Sequence, residues 1–397
     1  MMQIKPHFLL IAILPLLLPC LAAVGQKAND DYPSLNAGDA PDNPGPLARD
    51  LSPAFTPQAI AKAERKVGDW ELAHTRAYFN QDWTYAALYR GFLAAAKSLP
   101  SQEYEDAMLG VGKTFDWRLG PRQTEGDDQA IGYLYLESYR KYRDEKMLER
   151  TKSQLDRIIG LPDVCTETCP PWSDKNTPTW WWADSIFMAP PVWADLYKAT
   201  GDSKYLDHMD QFFWVTSKLL YDPQEHLYSR DESYLNKREA NGKKVFWSRG
   251  NGWVIAGIAQ VLQLMPKDYP SRPRYLQQFR DIATRLKSVQ GEDGLWRPGL
   301  LDAAAYRLPE NSGSAFFVYA LAWGINSGVL DRDTYLPVVK KGWAGLVAHI
   351  YKDGRFGSIQ PIGAGPDAYK PQTSYVFGVG AFLLAGSEVE KLASTRH

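Results

Sequence analysis

A unit of two helices joined by a short polar turn recurs along most of the chain, and it constrains the fold more than any other feature. In each copy, apolar side chains follow helical spacing, a turn carrying Gly, Asp, Ser or Pro interrupts them, and a second helical segment follows. The copies recur about every 40 to 70 residues and begin at Trp83, Ile131, Val192, Val254 and Ala315. This cadence predicts stacked helical hairpins.

The segments between the hairpins favour a closed ring over an open solenoid. They are long and rich in Gly, Trp and Pro, as in 163–182 and 241–253. Loops of this kind build ligand sites at one end of a closed scaffold. We therefore predict an all-α fold, a single (α/α)6 barrel of six helical hairpins in a closed double ring, over residues 58–397.

The first 57 residues differ from the rest in pattern. Residues 1–23 combine Lys5, an apolar run over 8–18 and two small residues at the end, which is the order of a secretory signal peptide. Residues 24–57 are rich in Pro, Asp, Asn and Gly and predict a linker or an extended arm. We expect export, to a bacterial periplasm, with no stable membrane insertion after the signal is removed.

The three cysteines suit an exported chain. Cys165 and Cys169 remain after the signal is removed, and a pair so close in sequence predicts a disulfide that closes a short loop. The rival interpretation, two metal ligands, lacks a nearby His and a second half of the motif. Cys20 could carry a lipid anchor, although the preceding Pro19 fits that pattern poorly.

The charge and the aromatic content of the chain limit the classes of partner that it can bind. Lys plus Arg number 45 against 46 for Asp plus Glu, so the formal net charge is -1 and nothing favours binding to nucleic acid. The 14 Trp and 22 Tyr residues suit either a surface that stacks against sugar rings or a Trp-rich core.

One inter-hairpin loop places Asp184 two residues after three consecutive tryptophans, in the segment 180–191. Apolar surroundings disfavour the ionised carboxylate and raise its pKa, which allows the acid to donate a proton near neutral pH. The alternative is that Asp184 caps the N-terminus of a short helix. The residue types alone leave both interpretations open.

A second loop, 244–253, combines a cation with two indoles. Arg249 offers a planar fork that suits a carboxylate, and Trp247 and Trp253 offer stacking faces. Glycines within the loop allow close backbone approach. The alternative is a turn with an exposed Arg and two core indoles, but we favour a binding loop.

A third loop holds the adjacent acids Asp127 and Asp128 at a helix start. Acids there often just complement the helix dipole. Two acids from separate loops that face one pocket would instead make an acid and base pair.

The segments 181–191 and 246–253 resemble the signature segments of the unsaturated glycuronyl hydrolases, specifically the unsaturated rhamnogalacturonyl hydrolases of the family 105 type. The likeness covers the chain from Trp83 to the C-terminus. Further similar segments are 293–298, 310–316, 357–361 and 378–388.

This resemblance implies a six-hairpin barrel that acts on oligosaccharides ending in a 4,5-unsaturated uronic acid, the ends that polysaccharide lyases leave. It favours rhamnogalacturonan fragments of pectin and implies no metal or cofactor. An aspartic acid protonates the C4–C5 double bond, water adds at C5, and the hemiketal opens to release the next sugar. Asp184 matches that acid, and Asp127 matches the second carboxylate, with the adjacent Asp128 as the alternative. The positions that match substrate-binding residues are Trp182, Trp247, Arg249, Trp253 and, beside the second carboxylate, Asp128.

One stretch departs from the family pattern. The family often carries a His with a basic neighbour before the Trp-containing acid motif, whereas 165–179 contains no His. Lys175 is a candidate replacement for holding the uronate.

Two other functions stay open. One is an inverting glycosidase whose carboxylates lie about 6.5–9.5 Å apart, and the other is a glycan-binding protein without turnover. In each case the partner is an oligosaccharide, and we expect a monomer or a weak homo-oligomer.

Overall fold

The computed structural model describes residues 37–99, 101–122, 124–161 and 180–395. The predicted signal peptide with Cys20, the proposed Cys165–Cys169 pair and Lys175 lie outside these residues. Within them, no helix combines the length and apolar character needed to cross a membrane.

Helices make up most of the described chain, and the strands are pairs of residues. In chain order the helices are α1 (Pro57–Thr75), α2 (Trp83–Ser98), α3 (Gln102–Thr114), α4 (Gly126–Gln129), α5 (Gly132–Tyr142), α6 (Lys146–Ile159), α7 (Ser185–Met188), α8 (Pro190–Thr200), α9 (Ser203–Leu220), α10 (Ser248–Leu264), α11 (Arg272–Ser288), α12 (Asn311–Asn326), α13 (Arg332–Val347) and α14 (Val376–Ser394). The strands are β1 (Gly38–Asp39), β2 (Tyr221–Asp222), β3 (Leu227–Tyr228) and β4 (Ser374–Tyr375). Strand β1 pairs antiparallel with β4, and β2 pairs antiparallel with β3.

Six helices form a closed inner ring. Helices α2, α5, α8, α10, α12 and α14 pack in that order, each against the next, and α14 packs against α2. Each of α3, α6, α9, α11 and α13 packs outside the inner helix that precedes it, and α1 packs outside α14. The predicted (α/α)6 barrel is therefore confirmed, and its sixth hairpin joins the last helix of the chain to the first.

The inner helices pack against other parts of the chain on every side, so few of their residues reach solvent. Nearly every residue of α10, α12 and α14 is buried, so these helices are covered around their whole circumference. Helices α2 and α14 approach closely at Gly91, where a Cβ atom would lie 2.6 Å from the Cα atom of Gly380. A side chain at either glycine would push the two helices apart.

Every inner helix runs in the same direction because an outer helix returns the chain each time. Their N-termini therefore meet at one end of the barrel, where the residues preceding them include Asp82, Trp247, Glu310 and Tyr375. A helix N-terminus carries a partial positive charge, so this end of the barrel favours anions.

Candidate active site

Two single-turn helices stand at the N-terminal end of the barrel and bring two predicted acids together. Helix α4 carries Asp127 and precedes α5, and α7 follows Asp184 and precedes α8. The two short helices pack against each other. A Cβ atom at Gly126 would lie only 3.6 Å from the Cβ atoms of Ser185 and Ala189. Acids from two separate loops therefore share one environment.

Asp184 occupies the N-cap position of α7, but its side chain makes no capping hydrogen bond. Its side chain is 14% exposed, and its Oδ2 atom is buried and accepts no hydrogen bond from the described residues. Burial raises the pKa of Asp184, while the nearby charges of Arg230 and Arg249 oppose that rise. The capping alternative is therefore not what the structure shows, and the carboxyl group is left available for chemistry.

Asp127 is the more strongly perturbed acid. Burial raises its pKa to about 8, with Arg122 opposing the rise and the carboxylates of Glu125, Asp82 and Asp184 adding to it. The charge of Asp184 is the smallest of these causes, so burial sets the pKa of Asp127. At neutral pH Asp127 therefore holds a proton, whereas the cations beside Asp184 favour the ionised form of that acid.

The carboxylate of the neighbouring Asp128 is bonded to Arg122. Its carboxylate accepts hydrogen bonds from the backbone N–H of Arg122 and from the guanidinium, with Nη2 at 2.7 Å from Oδ1. Its own backbone carbonyl accepts from Gly120. Asp128 thus fixes the loop that carries Asp127, and its predicted contact with substrate stays a prediction.

Arg249 lies in the first turn of α10 and is 1% exposed, so it is not the exposed turn residue of the alternative interpretation. Its Nη1 atom donates to the carbonyl of Gln360 at 2.6 Å, and Nη2 donates to that of Pro361 at 2.7 Å. The guanidinium lies between the rings of Trp247 and Phe377. Arg249 therefore anchors the 360–361 loop at the site, and its predicted contact with a substrate carboxylate stays a prediction.

The three predicted tryptophans are buried in the structure. Trp247 donates from Nε1 to the Oε1 atom of Gln360 at 2.9 Å, and Trp253 packs against Phe187 and Phe316 beneath the site. Trp182 is buried beside Trp181, which is partly exposed. Trp181 therefore offers the more open indole of the pair, and sugar contact by the other three stays a prediction.

Arg230 is a site residue that the sequence analysis missed. Its side chain is 21% exposed, its Nε atom lies 3.7 Å from Oδ2 of Asp184, and its Nη1 atom lies 2.7 Å from Oδ2 of Asp231. The guanidinium also sits over the ring of Trp181 at 5.5 Å. Its backbone carbonyl accepts from the N–H of Ala183, which ties it to the Asp184 loop. The only sequence signal was a charged pair after β3, which resembles any surface turn.

Glu310 is a second residue whose role was not predicted. Its buried carboxylate caps α12 by accepting from the backbone of Ser312 and Gly313. It also accepts from the N–H of Gln360, and its Oε1 atom lies 3.8 Å from Nη1 of Arg249. Glu310 thus balances the buried Arg249 charge and holds the same 360–361 loop.

The site combines a positive and an acidic side. The helix N-termini and Arg230 favour an anionic group, and Asp127 holds a proton at neutral pH. Among the residues that the structure describes, no group of three or more His, Cys, Asp or Glu side chains is arranged to hold a metal ion.

Comparison with known proteins gives a consistent family. The sequence pattern of Glycosyl Hydrolase Family 88 matches residues 58–393. The chain is similar to an unsaturated 3S-rhamnoglycuronyl hydrolase of Formosa agariphila, at 40% identity over 82% of this chain and 89% of that protein. It is also similar to a protein of the same name from Alteromonas sp. (strain LOR), at 31% identity over 86% and 89%. A solved structure described as a polysaccharide lyase is 30% identical, with a TM-score of 0.78 over 86% of this chain and 99% of that one.

Proposed function

The chain belongs to glycosyl hydrolase family 88 and is a glycosidase, and from this premise we propose that it releases the terminal 4,5-unsaturated uronic acid from lyase-generated oligosaccharides. The observation that carries the proposal is the partly buried Asp127–Asp184 pair, in which Asp127 holds a proton and Asp184 lies beside the partly exposed Arg230. A substrate that combines a carboxylate with an electron-rich double bond suits both features.

Substrate binding prepares the acid for its task. The uronate carboxylate pairs with Arg230 and lies at the positive ends of the inner helices. That negative charge offsets the cation that holds down the pKa of Asp184, so the pKa of Asp184 rises further on binding. The shared proton then moves onto Asp184, where it faces the substrate.

The reaction proceeds by hydration rather than by direct displacement at the anomeric carbon. Asp184 donates its proton to C4 while positive charge develops at C5 and the ring oxygen. The resulting carboxylate removes a proton from a water molecule as the water oxygen bonds to C5. The C5 hemiketal opens to a ketone, and its hydroxyl proton passes to the ring oxygen, which remains on C1 as a hydroxyl. C1 then becomes an aldehyde as this hydroxyl gives its proton to the departing oxygen of the next sugar. Each bond broken is matched by a bond formed, and the pair recovers its proton.

The names of the two relatives support rhamnose as the sugar next to the uronate. We propose unsaturated uronic acid linked to rhamnose as the substrate class, which includes the rhamnogalacturonan fragments expected from the sequence.

Ultraviolet absorbance of the conjugated double bond tests the function. The purified protein is incubated with the unsaturated disaccharide, with its saturated counterpart and with the intact polysaccharide. Loss of absorbance with only the unsaturated disaccharide cleaved supports the proposal. Cleavage of the saturated sugar would instead indicate an ordinary inverting glycosidase. A rise in absorbance on the polysaccharide would indicate a lyase, because a lyase creates the double bond.

Substitution of Arg230 by Gln is expected to raise KM for the unsaturated disaccharide about tenfold or more, because it removes a charge-assisted contact to the carboxylate. Arg230 lowers the pKa of Asp184, so its loss raises that pKa and moves the alkaline limb of the kcat profile to higher pH. Steady-state kinetics across pH measure both effects. The control is Arg238→Gln, an exposed arginine that bonds carbonyls of its own loop. An unchanged KM in Arg230→Gln would exclude its contact with the carboxylate.

We also propose that the chain is exported to a bacterial periplasm. Support comes from the charged, apolar and small-residue order of residues 1–23. The mass of the mature protein from its natural host tests this, because an intact first segment would exclude removal of a signal.

A further inference from the structure

One buried arginine joins both acid-bearing turns from beneath the site. Arg90 lies in the interior of α2, is 1% exposed, and faces the centre of the inner ring. Its Nη1 atom donates to the carbonyl of Phe187 at 2.6 Å, and its Nη2 atom donates to that of Met188 at 3.0 Å and to that of Ala130 at 3.3 Å. Phe187 and Met188 end α7, and Ala130 is the C-cap of α4.

The chain sequence explains why the carbonyls of Phe187 and Met188 are free to accept. In an α-helix, a carbonyl accepts from the N–H four residues later. The residue four after Phe187 is Pro191, which has no N–H. The N–H of Val192, which would serve Met188, donates instead to Ala189. The guanidinium of Arg90 therefore replaces one helical partner that Pro191 cannot supply and one that Val192 gives to Ala189 instead.

Packing fixes the guanidinium in one orientation. Its centre lies 4.2 Å from the ring centroid of Phe187 and 4.6 Å from that of Tyr133. Its Nη1 atom also donates to the Oε1 atom of Gln260, on α10, at 2.7 Å. One rigid, planar group thus links α2, α4, α7 and α10, and only an arginine can span this set of acceptors.

The acids lie one helical turn away from these bonds. Asp127 is three residues before Ala130, and Asp184 is three residues before Phe187. We propose that Arg90 is a positioning residue for the proposed hydration, which sets the separation of the Asp127 and Asp184 carboxyl groups by holding the C-terminal ends of α4 and α7. It touches neither substrate nor water at the reacting carbons.

The proposal rests on the proposed function but is measurable without it. When the two acids move apart or admit water, their mutual repulsion and their burial both weaken, and both changes lower the pKa of the pair. Arg90→Lys keeps the charge but cannot span the two sets of carbonyls. It is expected to reduce kcat by about 10- to 100-fold with KM nearly unchanged, and to move the alkaline limb to lower pH.

The experiment compares Arg90→Lys with the wild type in two measurements. Kinetics on the unsaturated disaccharide give kcat, KM and the pH profile. Carbon NMR of aspartate-labelled free protein gives the carboxyl titration with no substrate present. The matched control is Tyr104→Phe, which removes a part-buried hydrogen bond to Asp69 between the outer helices α3 and α1. Gln260→Leu, which withdraws one acceptor, substitutes for Arg90→Lys if the lysine variant does not fold, with the same signs and a smaller effect.

The possible outcomes test the positioning role of Arg90 separately from the proposed function. A wild-type kcat and pH profile in Arg90→Lys overturns the positioning role. A reduced kcat with an unmoved titration also overturns it, because that pattern reflects a general loss of structure. A wild type that does not turn over the disaccharide overturns the proposed function, while the NMR titration still tests whether Arg90 sets the pKa of the acid pair.

Discussion

Asp184→Asn is expected to lower kcat on the unsaturated disaccharide by about 10³- to 10⁴-fold while leaving substrate affinity nearly unchanged. An amide has almost the same shape as the carboxylic acid but cannot donate the proton to C4 or take one from water. The contacts of Arg230 with the uronate do not depend on that proton. Loss of absorbance gives kcat, and calorimetric titration of the inactive variant with the disaccharide gives the dissociation constant.

The control is Asp333→Asn, which removes an exposed carboxylate in the first turn of α13. It should leave both kcat and affinity at wild-type values. Near-normal turnover in Asp184→Asn would show that another group delivers the proton, and the mechanism proposed here would then be wrong. Loss of affinity together with turnover would place Asp184 in binding rather than in proton transfer.

The barrel was predictable from the chain because its hairpins are local. Apolar spacing and polar turns lie within one stretch of sequence, so the copies beginning at Trp83, Ile131 and Val192 could be recognised one by one. The sixth hairpin could not be recognised in this way, since α1 and α14 lie at opposite ends of the sequence. What joins them is packing in three dimensions, which leaves no periodic signal.

The site was less predictable because its partners are remote in sequence. Residue type indicated that Arg249 could bind a carboxylate, but its donors meet carbonyls at 360 and 361, more than a hundred residues later. Arg230 gave no signal, since its position beside Asp184 depends on how the loop after β3 folds back onto Ala183. The choice between a capping and a free Asp184 was likewise settled by the absence of a hydrogen bond that sequence cannot reveal.

Asp127→Asn is the second substitution expected to have a large effect, a fall in kcat of about 10²- to 10³-fold. Burial raises the pKa of Asp127 to about 8, so in the wild type the acid pair keeps its proton through neutral pH and loses it above about pH 8. Asparagine cannot hand a proton to Asp184. It also removes the group whose pKa of about 8 sets the alkaline limb, so the residual activity loses that limb.

At alkaline pH the free energy of unfolding of Asp127→Asn should not fall below that of the wild type, although its kcat does. This combination separates the loss of activity from misfolding. A carboxyl group whose pKa is raised on folding stabilises the protein fully only below its unfolded pKa, and that contribution is lost as pH rises from 3.8 through about 8. Above pH 8 the wild type buries a charged Asp127, whereas the asparagine variant does not. Urea unfolding at pH 9 should therefore find Asp127→Asn at least as stable as the wild type. A variant that is less stable than the wild type at pH 9 and active at pH 7 would show that Asp127 is a structural acid and that Asp184 works without it.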